Sequence, residues 1–256
     1  MTMAIRLPGR FLVADAAHGP FPLLLLGLTV LTGVVDAVSI IALGRVFVAN
    51  MTGNVVFVGF AIAGVAGFSL AASLLGLVGF LVGAGAGGRL IEWFGSDRAR
   101  LLAVATSAEF LLFGVATVVV GLSAQPVPAG SRDAAVILLA LATGIQNAVV
   151  RRLAVPDLTT TVLTMTLTGI AADIRGGVRS TAFARRLLAV ATMLGGAVAG
   201  AELVLHDSPT TALAVGTALL AVITAAAWQT TRRPGGWREA GRPARPAPAA
   251  GQGGTR

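Results

Sequence analysis

The sequence predicts an all-α polytopic membrane protein, on three observations. Of 256 residues, 55% are hydrophobic and 12% are charged, whereas an ordinary soluble domain carries about 25% charged residues. Mean hydropathy is +0.86. The apolar residues gather into runs at 21–44, 46–67, 69–93, 101–122, 134–153, 158–172, 187–205 and 210–229, and a helical crossing needs about 20 such residues, with a range of roughly 17–25. Six runs meet that length plainly. The runs at 46–67 and 158–172 do not read as simple spans, because polar residues interrupt them.

Residues 1–20, with Arg6, Pro8, Arg10 and Pro20, form an N-terminal segment; the apolar run that follows is too long for a signal peptide and lacks a convincing cleavage site. In the first run Thr29, Thr32, Asp36 and Ser39 share one helix face. A charge there costs at least ~2.5–3.5 kcal/mol on insertion scales, so something must compensate Asp36. The second run opens with Asn50-Met51-Thr52-Gly53-Asn54, which reads as an elbow: backbone leaving helical bonding inside a membrane must be buried or line water, and Asn and Thr side chains satisfy the freed groups. In the third run Gly79, Gly83 and Gly87 at spacings of four make a smooth face for close helix contact. The stretch Gly83–Gly88 matches a dinucleotide fingerprint by letter, but it closes an apolar helix instead of opening one after a strand.

The fourth run places Thr106 and Glu109 on one face. The fifth carries Thr143, Asn147 and Arg151 with Gln146 beside them, and Pro156 keeps it from continuing unbroken. The sixth, short run holds Thr159, Thr160, Thr161, Thr164, Thr166 and Thr168 and reads as a second elbow. The seventh has Gly196 and Gly200 as another small-residue face, with Glu202 near its end. From residue 232 to 256 six Arg stand against one Glu among Pro and Gly, which predicts a disordered basic tail.

Arginine placement decides the topology, since arginine near span ends collects on the cytoplasmic side. With eight full crossings the count is 13 inside and 6 outside; with the two interrupted runs dipping in and returning, it is 17 to 2. The prediction is therefore six transmembrane helices plus two re-entrant or broken segments in one domain, 21–231, with both termini cytoplasmic. The order span, re-entrant, span, span then occurs twice with opposite entry, in halves 21–122 and 134–231, predicting a 3+3 inverted-topology repeat. Thr32-Gly33-Val34-Val35-Asp36-Ala37-Val38 and Thr143-Gly144-Ile145-Gln146-Asn147-Ala148-Val149 echo each other at corresponding places.

The chemistry is narrow. There is no Cys, and two His are too few for a His-based metal cluster; no nucleotide loop or nucleophile elbow appears, and no cofactor, metal or enzyme activity is expected. The basic balance is not read as nucleic-acid binding. Expected partners are the bilayer, a small polar solute or ion, anionic headgroups near the basic tail, and a second copy through the Gly-rich faces. Inverted repeats with interrupted helices point to a transporter site. The first expectation is a secondary transporter or permease for a small polar solute, proton- or cation-coupled through Asp36, with Ser39, Asn50, Thr52, Asn54, Glu109, Gln146, Asn147, Thr160, Thr161 and Thr164 as binding candidates. The alternatives are a passive channel lined by the re-entrants, and a scaffold whose polar residues only join helices, Asp36 then being held by Arg45 or another cation.

The two stretches VDAVSIIALGRVFVANMTGNVV and GIQNAVVRRLAVPDLTTTVLTMTLTG resemble the YoaK-like family of bacterial integral membrane proteins, a family known as a domain of unknown function. The resemblance runs over about residues 20–230. It implies a bacterial inner-membrane location and carries no catalytic residues with it.

Overall fold

The computed structural model describes residues 18–158, 160, 163–173 and 181–239. Among these the chain forms α1 (Phe21–Ala42), α2 (Met51–Ile62), α3 (Leu70–Phe94), α4 (Arg98–Gly121), α5 (Ala129–Leu153), α6 (Leu163–Asp173), α7 (Thr181–His206), α8 (Pro209–Thr231) and a 3-10 turn at Gly236–Arg238. Six helices, of 22 to 26 residues, are long and apolar enough to cross a membrane. The other two, with 12 and 11 residues, reach only about 18 and 17 Å at 1.5 Å per residue, against a hydrocarbon thickness of about 30 Å.

Several helices start before the apolar runs do. The runs mark hydrocarbon depth, while the helices extend outward to their caps: Asp97 accepts the N–H groups of Ala99 (3.0 Å) and Arg100 (3.1 Å) at the head of α4. Ser69 and Ser208 likewise accept from Ala72 (3.2 Å) and Thr211 (3.0 Å). At the far end of α5, Ala154 adopts a left-handed φ of 48° two residues before Pro156, ending the helix where the sequence places its stop.

Both short helices turn back to the end of the bundle they came from. Arg45, just past α1, packs against Gly67, just past α2; a Cβ on Gly67 would lie 2.6 Å from its guanidinium. Residues 46–66 therefore enter and return. On the opposite end, Arg98 donates to the Leu153 carbonyl, and Arg186 of α7 donates to Asp157 (2.6 Å) while facing Gly169 of α6. The second excursion likewise begins and ends on one side.

Glycine contacts hold the long helices together. Gly33 of α1 meets the Met193 carbonyl and the Ala197 N–H of α7, where a Cβ would sit 2.7 Å from that nitrogen. Gly144 of α5 meets the Phe80 carbonyl and the Ala84 nitrogen of α3, the latter at 2.8 Å. In return Gly196 and Gly200 of α7 abut Val30, Val34 and Ala37 of α1, and Gly83 and Gly87 of α3 abut Leu141, Ile145 and Ala148 of α5. Lipid tails are as apolar as the helices, so contact rather than hydrophobic exclusion drives this association, and glycine gives the closest contact. The faces of Gly79, Gly83 and Gly87 and of Gly196 and Gly200 are thus filled within the chain, by α5 and α1, while Gly85, Gly88 and Gly195 have open space beside them.

The segment after α8, assigned by sequence to a disordered tail from residue 232, is described to Glu239 and packs back on the bundle. Trp237 meets Phe21 edge-on at 5.2 Å. Arg98 lies 5.1 Å from the centre of the Phe21 ring and donates to the Trp237 carbonyl at 3.2 Å, and Arg238 forms an ion pair with Asp97. One tryptophan among arginine and proline supplies the apolar anchor that composition averages away.

Two outcomes follow from this packing. Gly144→Ala and Gly33→Ala drive a methyl into backbone and lower stability by about 1–3 kcal/mol, read as a depressed melting temperature in detergent. Gly85→Ala, with open space around it, does not. The clasp is acid-sensitive: burial pushes the Asp97 carboxyl up, but the Arg238 hydrogen bond, the Arg100 N–H, the Arg238 charge and the Ala99 N–H outweigh it and hold it below its ordinary 3.8. A carboxyl lowered on folding stabilises above its unfolded value and loses that contribution as pH falls through its folded one. The melting-temperature gap between wild type and Arg238→Ala is therefore constant above about pH 5 and closes below about pH 4.

Candidate functional site

Asp36 lies in the C-terminal half of α1, the most buried of the six long spans. Its Oδ1 accepts the backbone N–H of Ala49 at 3.1 Å. Ala49 belongs to the non-helical linker Leu43–Asn50, whose Val46 and Val48 side chains are fully buried. Two more side chains serve the same linker. Asn54 Oδ1 accepts the Phe47 N–H at 2.8 Å while its Nδ2 donates to the Phe47 carbonyl at 2.6 Å, and Thr143 of α5 donates to the Val48 carbonyl. The carboxyl in the apolar helix is held by linker backbone, and no ion pair joins Asp36 to Arg45 among the described residues.

The break therefore sits upstream of where the sequence places it. Met51–Asn54 is already the first turn of α2, and Gly53, expected to permit a turn, is instead a flat helical surface against which the Phe47 ring lies. Val46, Val48 and Ala49 read as helix because they are apolar, yet they belong to the non-helical stretch. The Thr29, Thr32 and Ser39 face is buried, its hydroxyls bonded to their own helix at Leu25 (2.8 Å), Leu28 (2.9 Å) and Asp36 (3.0 Å). Gln146 is buried too and donates to Thr32 Oγ1 at 3.3 Å, joining α5 to α1.

A cleft of about 520 Å³ opens halfway along the bundle. Asn50, Met51, Thr52 and Gly53 line it from the start of α2, Leu163 and Thr164 from the start of α6, and Phe80, Asn147 and Met193 from the long helices. Asn50, Thr52 and Thr164 are exposed there, and the side chain of Asn50 caps nothing at the head of α2. Asn147 is half-buried and donates to the Thr143 carbonyl at 2.9 Å. Of the sequence candidates, the structure brings Asn50, Thr52, Asn147 and Thr164 to this cleft. Asp36, Ser39, Asn54 and Gln146 serve the linker and helix packing. Glu109 is buried in α4, away from the cleft, and its Oε2 makes no hydrogen bond. Thr160 is buried at a left-handed φ of 58° with its hydroxyl unpaired; Thr161 lies outside the described residues. Sequence reasoning missed Phe80 and Met193 as cleft residues. Their signal was indirect, through the glycines their carbonyls touch.

The linker bonds generate a stability series. Asp36→Asn keeps an oxygen acceptor for Ala49 and melts near wild type, whereas Asp36→Leu orphans that N–H and costs about 1–3 kcal/mol. Asn54→Leu orphans both polar groups of Phe47 and falls further than Asp36→Leu in the same detergent melt. Equal melting of all three would mean the linker does not depend on these bonds.

Comparison with known proteins places the chain. Residues 24–226 match the family model described as protein of unknown function (DUF1275). The chain is 34% identical over 159 residues to the UPF0700 transmembrane protein YoaK of Bacillus subtilis (strain 168), a match covering 59% of this chain and 67% of that protein. No solved structure matches. With six long apolar helices and a family match across nearly all of them, this membrane protein belongs to the DUF1275 family.

Proposed function

We propose that the protein is a permease for a small, uncharged polar solute, built as a 3+3 inverted repeat with its solute site in the mid-bundle cleft. The observation that carries the reading is the meeting of both interrupted helices at one cavity, the arrangement in which half-helix ends offer unpaired backbone groups to a substrate. The paired glycine contacts support the repeat: α1 meets α7 through Gly33 and Gly196 as α5 meets α3 through Gly144 and Gly83. Phe80 and Met193, matched in those contacts, both line the cleft, which supports a two-fold axis through the cavity.

Among the described residues the cleft lining contains no Asp, Glu, His, Lys or Arg. That favours facilitated passage over ion coupling and moves the central role from Asp36 to Asn50, Thr52, Asn147 and Thr164. Amides and hydroxyls give a neutral solute both donors and acceptors. The reading is non-enzymatic. Arg98, Arg100, Arg151, Arg152, Arg185, Arg186, Arg232, Arg233 and Arg238 cluster at one end, which supports a cytoplasmic orientation of that end; the proposal sets both termini on that side of the bacterial inner membrane. A passive channel remains the second reading, favoured by the same absence of a titratable group.

Proteoliposomes re-swelling in glycerol, urea or erythritol test the reading. Wild type should pass at least one probe faster than empty vesicles, with no dependence on a proton gradient. Asn147→Leu and Thr164→Val should cut that rate about tenfold, the loss of one or two hydrogen bonds to solute, while Asp36→Asn retains it. Saturation with probe concentration marks a permease and linear flux a channel. Failure of wild type to move any probe, or gradient-driven flux abolished by Asp36→Asn, overturns the proposal.

A further inference from the structure

We infer a second site, for a phosphate-class oxyanion, at the end of the bundle opposite the arginine cluster. A cavity of about 470 Å³ opens there, between the turn after α1, the turn after α2 and the connection from α4 to α5. Arg45 and Arg132 are the described arginines of that end, and both line it. Gln125 adds a side-chain amide, and Ile41, Val127 and Pro209 complete walls that, among the described residues, carry no carboxylate.

Neither guanidinium has a hydrogen bond or ion pair among the described residues. Asp133 borders a smaller adjoining cavity with Arg132 and forms no ion pair with it. Arg45 is also placed by the fold. It holds a left-handed φ of 56° directly after Gly44 at 98°, a conformation that Asn or Gly takes more readily. Its guanidinium occupies the space a side chain at Gly67 would need. A residue that only decorated a solvated turn would gain nothing from either feature.

Charge economy points the same way. Arginine is disfavoured at the end that faces away from the cytoplasm, and on the orientation proposed above the described residues keep arginine there at two positions, far apart in sequence, that converge on one cavity. Two guanidiniums present paired donors in a planar fork that matches phosphate geometry, and together they balance a doubly charged group. The anion has two sources, a soluble phosphate compound or the phosphodiester of an anionic lipid whose glycerol lies against the apolar wall. The site stands whether or not the mid-bundle cleft carries a solute.

The test is the melting temperature of the purified full-length protein in neutral detergent, titrated with inorganic phosphate against chloride at constant ionic strength. A parallel titration sets phosphatidylglycerol against phosphatidylcholine. Wild type should be stabilised saturably by phosphate, identifying a soluble source, or by phosphatidylglycerol alone, identifying a lipid one. Arg132→Gln should shift the titration midpoint about tenfold or more, the loss of a charge-assisted bond. Arg45→Asn should do the same while tolerating the left-handed backbone, so that lost binding is not confused with lost fold. Arg152→Gln, on the opposite end, should not shift it. Stabilisation equal in chloride and phosphatidylcholine, or a midpoint unmoved by either cavity substitution, overturns the site.

Discussion

Three peptide groups, those of Phe47, Val48 and Ala49, set the terms for the rest of this molecule. They leave helical geometry inside the bundle, where each buried polar group left unsatisfied costs several kcal/mol. Asn54, Thr143 and Asp36 meet that requirement with one side chain each. Once the linker is satisfied, α2 can begin at mid-depth and run back toward the end it came from. The cleft exists because α2 starts there. Thr143 belongs to the other half of the chain, so the bond that satisfies Val48 also joins α5 to the linker that follows α1.

This requirement explains why an aspartate is found in an oily helix without a cation beside it. The Ala49 N–H lies where no helical carbonyl reaches it, and the Asp36 carboxyl supplies the acceptor oxygen it needs. The three side chains divide the work by chemistry. An amide offers donor and acceptor together, and so Asn54 takes both groups of Phe47; a threonine hydroxyl donates, and so Thr143 takes a carbonyl.

Much of the fold was legible before any coordinates. Six spans follow from run length, and the two returning segments follow from arginine placement, which outweighed the 22-residue length of the apolar run at 46–67. The site was legible only in part. Asn50 and Asn54 are chemically identical and four residues apart, yet Asn50 faces the cleft and Asn54 is fully buried on the linker. Their difference depends on where Phe47 lies, a tertiary fact. The threonine and serine stripe of α1 misled for a local reason, because those hydroxyls bond back to carbonyls three or four residues earlier and need neither water nor solute. Trp237 was hidden by the composition around it.

Packing and polar chemistry also explain why the two halves echo each other so briefly in sequence. The glycine contacts leave no freedom, since a methyl at Gly33 or Gly144 meets backbone; a two-fold arrangement of these helices must keep both. Polar positions are under no such rule. Asp36 and Asn147 occupy matching places in the echo, but one serves the linker and the other turns to its own helix and lines the cleft. On the proposed axis the backbone framework is repeated while the side-chain duties diverge. The cleft then presents unlike walls from its two halves, Asn50 and Thr52 on one side and Asn147 and Thr164 on the other, so the solute site proposed for it is asymmetric.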